Sequence, residues 1–198
     1  FAGRGWKVNF FSQERHIIGV KPYQFDAQPL SMNGSAGHIH DTVRERMLKI
    51  YKEGIIPPYL NKTAKEHLRL GIEFFKDRQL DKHCLYEGPT GIALFPWRGD
   101  KVIRTIVLML KKEAISATAY KSHIELEFTP RDSLKVAVFN ILDAKDIDKI
   151  ELIKKINNLD RDKHDNLISM DLKRTAFAYS ELDVDGALEF FNRLRKEL

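Results

Sequence analysis

The sequence predicts an α+β fold, in which an antiparallel, β-rich and barrel-like module with packed helices precedes a mostly helical part. Up to Phe128, short runs of β-branched and aromatic residues alternate with turn residues. From Thr129 onward, apolar residues recur at spacings of three and four, which is typical of amphipathic helices. We therefore expect a mixed α/β module over residues 1–129 and a helical subdomain over 130–198 that packs on it.

The first element is predicted to be an antiparallel hairpin. Residues 6–10 and 16–20 are rich in β-branched and aromatic types, and a polar stretch lies between them. Residues 22–37 contain two prolines and two glycines, so we expect a loop there.

Helices and strands are predicted to alternate after this loop. Asp41 is expected to cap a helix that ends near Glu53, and Asn61 a second helix that ends near Arg78. Strands are predicted at 83–87 and 91–97, a third helix at 101–112 and a second hairpin at 115–120 and 123–128. The remaining helices are expected at 130–142, 146–157, 165–178 and 183–196.

The helix after Asp41 is predicted to bury one face and to expose its basic residues. Val43 and Met47 lie on the apolar face together with Ile50 and Tyr51. The basic residues of the first two helices alternate with acids, which is typical of solvated faces; they are Arg44, Arg46, Lys49, Lys62, Lys65 and Arg69.

Composition limits the classes of protein to be considered. The 198 residues include 33 Lys+Arg and 28 Asp+Glu, and a formal charge of +5 suits a polyanionic partner as well as many ordinary proteins. Cys84 is the only cysteine, so no intramolecular disulfide forms and a cytoplasmic location is expected. The apolar run at 106–110 is far shorter than the roughly 18 residues of a membrane span, so we expect no membrane partner. The chain begins at Phe1 rather than at a methionine, so we expect it to be cut from a longer protein.

The common nucleotide and hydrolase motifs are absent from the sequence. It contains no Gly-x-x-x-x-Gly-Lys-Ser/Thr loop, no Gly-x-Gly-x-x-Gly after a strand, no His-Glu-x-x-His and no Gly-x-Ser-x-Gly. We therefore expect no catalytic site, no bound cofactor and no ATP hydrolysis in this chain alone.

A metal site is the weaker of two interpretations of the histidine pair. His38 and His40, together with Asp41, could meet one ion in an extended segment, but two loop histidines without a metal are favoured. The acidic run at 160–165 lacks the glycine and the final glutamate of a calcium loop, so a solvated turn is expected there.

Cys84 is expected to be a buried structural residue. His83 precedes it, but adjacent residues of a strand point to opposite faces, so the two cannot easily form a catalytic dyad.

The strand-to-helix junction at residues 94–105 is the first candidate nucleic-acid site. Trp97 follows a strand, and Arg98, Lys101 and Arg104 follow at the start of a helix. An aromatic face beside guanidinium and ammonium groups can stack a base and hold its phosphates. The alternative, equally weighted, is that Trp97 fills the core beneath the helix.

The first hairpin is the second candidate site. Arg4, Trp6 and Lys7 bring basic and aromatic residues together on it, as do Arg15 and Lys21 on the turn and the second strand. A core position is nevertheless favoured for Trp6.

A set of motifs in a fixed order resembles a known family. The set consists of Gly3–Val8, Ile17–Pro22, His40–Val43, Pro58–Leu60 and Phe95–Gly99, followed by Thr105 and Leu108–Leu110. It resembles the region after the two motor domains of large Lhr-type helicases, of the DEAD/DEAH class in superfamily 2. The resemblance covers roughly residues 1–145, and Arg98 departs from the small residue that those sequences often have.

The resemblance implies a parent ATP-dependent helicase or translocase whose upstream motor domains bind ATP and magnesium. The chain would then be a nucleic-acid-contacting accessory domain, with single-stranded or tailed DNA or RNA and the motor domains in cis as partners. The alternative is a protein-interaction or scaffold domain without nucleic-acid binding of its own. Exposure of Phe190 and Leu194 on the last helix would favour that alternative.

Overall fold

A computed structural model describes residues 5–23, 38–156, 159 and 165–198. The chain separates into two compact units, residues 1–37 and residues 38–198. Helices and antiparallel strands occur together, and the carboxyl-terminal part is mostly helical, so the predicted α+β class is confirmed.

The first unit contains the predicted hairpin. Strand β1 (Gly5–Ser12) pairs antiparallel with strand β2 (Ile17–Tyr23). The register shifts between Val8 and Phe10, where one extra residue forms a bulge. The position of the hairpin agrees with the sequence pattern.

The second unit combines a four-stranded sheet with seven helices, counted over the part of the chain that the structure describes. In chain order its elements are α1 (Asp41–Glu53), α2 (Lys62–Asp77), β3 (Leu85–Gly88), β4 (Gly91–Leu94), α3 (Asp100–Lys112), β5 (Ala117–Ala119), β6 (Ile124–Glu127), α4 (Arg131–Asp143), α5 (Lys149–Ile153), a 3-10 turn (Asp165–Leu167), α6 (Met170–Glu181) and α7 (Val184–Arg195). The strand order is β3-β4-β6-β5, with every pairing antiparallel. Since β3 and β5 remain at the two edges, the described strands form an open sheet and the barrel-like expectation is wrong.

The middle strands of this sheet bury one face. Ile92 and Leu94 of β4 lie opposite Leu126 and Ile124 of β6, and all four side chains are buried. Alternate residues of a strand share a face, so these pairs form a single apolar surface. Helix α3 belongs to the same core through its buried apolar residues, which are Val102, Ile103, Ile106, Val107, Met109 and Leu110.

The carboxyl-terminal helices share this core. Leu134 and Val138 of α4 and Phe191 and Leu194 of α7 belong to the same buried cluster as the sheet. The two compact units therefore do not divide at the boundary that we predicted near residue 129.

The start of α1 differs from the prediction. His40, rather than Asp41, is the N-cap, and its Nδ1 accepts a hydrogen bond from the Thr42 amide at 3.2 Å. Asn61 caps α2 as predicted, and its side chain accepts from the Ala64 amide.

The last helices are shorter than their apolar periodicity indicates. The helix expected over 146–157 spans Lys149–Ile153, and residues 157–158 lie outside the described part of the chain. The helix expected from residue 165 begins at Met170, because the Ser169 hydroxyl accepts from the Leu172 amide and starts the helix there.

Candidate nucleic-acid interface

Trp97 lies in a buried aromatic cluster. It is only 9% exposed, and its ring centroid is 5.5 Å from Tyr51, 5.7 Å from Phe75 and 6.4 Å from Phe95. These rings come from α1, α2 and the segment after β4, so Trp97 joins three elements of the second unit. A base cannot stack on a face that is already covered, so the exposed placement is wrong and the core alternative is correct.

The backbone and the indole nitrogen of Trp97 are both unusual. Its φ of 55° lies in the left-handed region, which is costly for a residue with a large side chain. Its Nε1 is buried and has no hydrogen-bond acceptor among the described residues. Buried donors are almost always paired in folded proteins, so this nitrogen needs an explanation.

Arg98 is an ion-pairing residue of the fold. Its Nε donates to Asp41 Oδ1 at 3.2 Å, and its Nη1 donates to Glu189 Oε2 at 3.1 Å. Asp41 begins α1 and Glu189 belongs to α7, so one guanidinium links both helices to the junction. Two carboxylates already neutralise this side chain, which weakens its predicted role as a phosphate ligand.

The starts of α1 and α3 are joined by three hydrogen bonds, each donated by a backbone amide. The Gly99 amide donates to Asp41 Oδ1 at 2.5 Å, the Ile39 amide donates to Asp100 Oδ2 at 2.9 Å, and the Asp100 amide donates to the Ile39 carbonyl at 3.0 Å. A Cβ at position 99 would come within 2.7 Å of the Ile39 carbonyl oxygen. Glycine is therefore required because two backbones approach each other, whereas its φ of −68° would suit any residue.

Arg44 lies beneath this contact, which corrects its predicted place on a solvated face. It is 3% exposed, and its Nη2 lies 3.6 Å from Asp100 Oδ1. Val43, expected to face the core, is 51% exposed instead. The apolar periodicity of α1 could not show this, because the buried arginine pairs with an acid from a distant segment.

Arg104 and Lys101 do not form a basic patch together with Arg98. Arg104 forms an ion pair with Glu181 and lies over the Phe177 ring at 5.4 Å, while Lys101 is exposed. Glu181 is 2% exposed and also lies 2.9 Å from His38 Nε2. The guanidinium of Arg104 is therefore engaged in binding α6 to α3.

One face of the hairpin carries two lysines and one aromatic ring. Lys7 lies directly opposite Lys21, and Phe10 lies opposite Gly19. Lys21 and Gly19 are two residues apart on β2, so all four share a face. The Phe10 ring lies over Gly19, where an added Cβ would meet its Cδ1 at 2.5 Å, yet Phe10 remains 51% exposed. We call this surface the Lys7–Lys21 face.

The opposite face of the hairpin is apolar. Its register pairs are Trp6–Pro22, Val8–Val20 and Phe11–Ile18. Trp6 is half-buried and the other five side chains are exposed. Trp6 thus lies on the face away from Lys7, and Arg4 lies outside the described residues.

The described residues contain no group of three His, Cys, Asp or Glu side chains arranged to hold a metal ion. His38 and His40 have different partners, since His38 pairs with Glu181 and His40 caps α1. Most of the acidic run at 160–165 lies outside the described part of the chain.

Cys84 has the environment of an unreactive thiol. It is buried, and burial raises its pKa from 9.0 to about 12, with the nearby Glu197 carboxylate adding to the increase. The thiol therefore stays protonated near neutral pH, which excludes it as a nucleophile there. The expected structural role is confirmed by its burial.

Comparisons with known proteins leave the family unassigned. No protein-family model, curated protein or solved structure matches the chain. No helix in the described ranges is both long and apolar enough to cross a bilayer. The resemblance to Lhr-type helicases stays a prediction from the motifs.

Proposed function

We propose that the chain is a nucleic-acid-contacting accessory domain that binds single-stranded or tailed DNA or RNA through the Lys7–Lys21 face. The observation that carries the proposal is the register of the hairpin, which sets two lysines directly opposite each other beside an exposed aromatic ring. This face replaces the junction at Trp97 as the principal contact.

Electrostatics favour an anion at this face. Like charges directly opposite each other destabilise a strand pair, and no carboxylate among the described residues forms an ion pair with Lys7 or Lys21. A phosphate between the two ammonium groups would remove their repulsion. Phe10 offers a ring beside them on which a neighbouring base can stack.

The parent protein is proposed to be a cytoplasmic ATP-dependent helicase or translocase, with ATP and magnesium at its motor domains. This part of the proposal rests on the ordered motifs from Gly3 to Leu110. The apolar face of the hairpin, opposite the lysines, suits packing against those motor domains in cis. One strand pair would then offer one face to the motor and the other to the nucleic acid.

A protein-interaction domain is the second candidate. The residues expected to mark it, Phe190 and Leu194, are buried. The exposed apolar face of the hairpin supports it instead, through Val8, Phe11 and Ile18.

Fluorescence anisotropy with a labelled single-stranded oligonucleotide tests the proposal. The double variant Lys7→Ala/Lys21→Ala should bind more weakly, and its log–log salt slope should be shallower by about 1.4, since each phosphate contact on a single strand contributes about 0.7. The matched control is Lys62→Ala/Lys135→Ala, which removes two exposed lysines from helices of the second unit. This control should keep the wild-type slope.

Phe10→Ala separates stacking from charge. It should lower affinity by about 1–3 kcal/mol without changing the salt slope, since a ring contributes through base stacking. Absence of binding by the wild-type chain at low ionic strength would refute the proposal and favour the protein-interaction domain.

A further inference from the structure

Two neighbouring cavities lie between the ends of α1 and α2 and the segment that follows α2. The outer cavity has a volume of about 440 Å³, and the inner one about 70 Å³. Both are lined by Lys52, Asp81 and Lys82, so they adjoin each other. The outer cavity is also lined by Phe75, Lys76 and Gln79.

The charges around these cavities are mostly positive. Lys52, Lys76 and Lys82 face a single acid, Asp81, in the lining of the outer cavity. Within the described parts of the chain, none of these three ammonium groups forms an ion pair with a carboxylate. Three unpaired lysines at one concave surface repel one another, and a bound anion would offset that repulsion.

The inner cavity adds a guanidinium to this set of cations. Arg193 lines it and donates to the carbonyl oxygens of Phe95 at 3.5 Å and Pro96 at 3.2 Å. Trp97 lines it as well, but its Nε1 is buried and is not accessible from the cavity.

We propose that these cavities bind a phosphate monoester. Its terminal phosphate lies at Lys52 and Lys82, the lysines common to both cavities. The organic part of the ligand lies in the outer cavity, beside Lys76 and Gln79. A monoester carries close to two negative charges near neutral pH and three acceptor oxygens, which match the lysines.

The charge of the lining favours a terminal phosphate over a phosphodiester inside a strand. An internal phosphodiester carries one negative charge, whereas a terminal phosphate carries close to two near neutral pH. The same chemistry has two sources, a free phosphorylated metabolite and the phosphorylated end of a nucleic-acid strand. This inference does not rest on the Lys7–Lys21 face, which belongs to the other compact unit.

Isothermal titration calorimetry of the full chain tests the site with inorganic phosphate and AMP. In a separate arm, two oligonucleotides that differ only in a 5′-phosphate or a 5′-hydroxyl are compared. We expect AMP to bind more tightly than inorganic phosphate, because it adds contacts in the outer cavity. Preference for the 5′-phosphorylated strand over AMP would identify strand ends as the source, and the reverse order would identify a free metabolite.

Two variants locate the binding. Lys52→Gln/Lys82→Gln should weaken AMP binding at least tenfold, whereas Lys62→Gln/Lys135→Gln should leave it unchanged. Lys7→Ala/Lys21→Ala should bind AMP as the wild type does, which keeps the two proposals separable.

The inference is overturned if the wild-type chain binds neither AMP nor inorganic phosphate at millimolar concentration and does not distinguish the two oligonucleotides. It is equally overturned if Lys52→Gln/Lys82→Gln binds AMP with wild-type affinity. The comparison of the two oligonucleotides requires no variant, so misfolding of a variant cannot obscure the result.

Discussion

Replacing Trp97 by alanine distinguishes a core residue from a nucleic-acid ligand. Truncation of a buried tryptophan typically costs about 3–5 kcal/mol. Three ring contacts, with Tyr51, Phe75 and Phe95, add to the loss, at about 0.5–1.5 kcal/mol for each aromatic pair. Removal of an unpaired buried donor returns about 1–3 kcal/mol. We therefore expect the free energy of unfolding to fall by about 5 kcal/mol, a large fraction of the 5–15 kcal/mol of a typical domain.

Urea denaturation followed by far-ultraviolet circular dichroism measures this change. Trp97→Phe is the conservative comparison, since it keeps an aromatic ring in the cluster and removes the unpaired nitrogen, and it should cost about 1 kcal/mol. In the reference protein, a Trp6→Phe background leaves Trp97 as the only tryptophan, so its fluorescence reports on the unfolding of the second unit alone.

The burial argument fails if Trp97→Ala unfolds within about 0.5 kcal/mol of the wild type, the range of ordinary surface substitutions. If the same variant were as stable as the wild type and also lost single-strand binding, the stacking role expected from the sequence would be restored.

The remaining predictions concern the contacts around the junction and the buried thiol. Gly99→Ala should destabilise the protein by about 2 kcal/mol in urea melts, because the backbones must separate and about two hydrogen bonds weaken. Gly88→Ala, whose Cβ would meet its nearest atom at 3.4 Å, should be close to neutral. Glu181→Gln should cost about 1–3 kcal/mol in the same assay, since the Arg104 guanidinium loses its charged partner. Cys84 should resist thiol reagents until the protein unfolds. Because its folded pKa is raised, its contribution to stability is present below pH 9.0 and is lost as the pH rises toward about 12, so stability should fall less over this range in Cys84→Ala.

The elements of the fold could be predicted because local patterns determine them. The hairpin, the Asn61 cap and the alternation in β6 are signals of neighbouring residues, and each is found where its pattern indicates. The open edges of the sheet could not be predicted, since the pairing of β4 with β6 joins strands separated by a whole helix. Sequence periodicity carries no information about which distant strands pair.

The candidate site was predicted less well, for a related reason. Residue types around Trp97 and Arg98 indicate which groups are present, but not which charges are already neutralised. Asp41 and Glu189 are 57 and 91 residues away from Arg98 along the chain, so no local window contains both partners. The facing lysines of the hairpin depend on one bulge between Val8 and Phe10, which shifts the register by a residue.

The segment from Phe95 to Asp100 is better explained by what it holds together than by what it could bind. Phe95 and Trp97 fill the aromatic cluster, Arg98 links α1 to α7, and Gly99 and Asp100 join the starts of two helices. Each residue has a partner from a different part of the second unit, so a substitution at any of them should change stability before it changes binding. The two proposed binding surfaces lie elsewhere: the cavities are lined mainly by residues outside this segment, and the Lys7–Lys21 face belongs to the other unit. A basic sequence motif beside a buried tryptophan is therefore weak evidence for a ligand unless its charges remain unpaired.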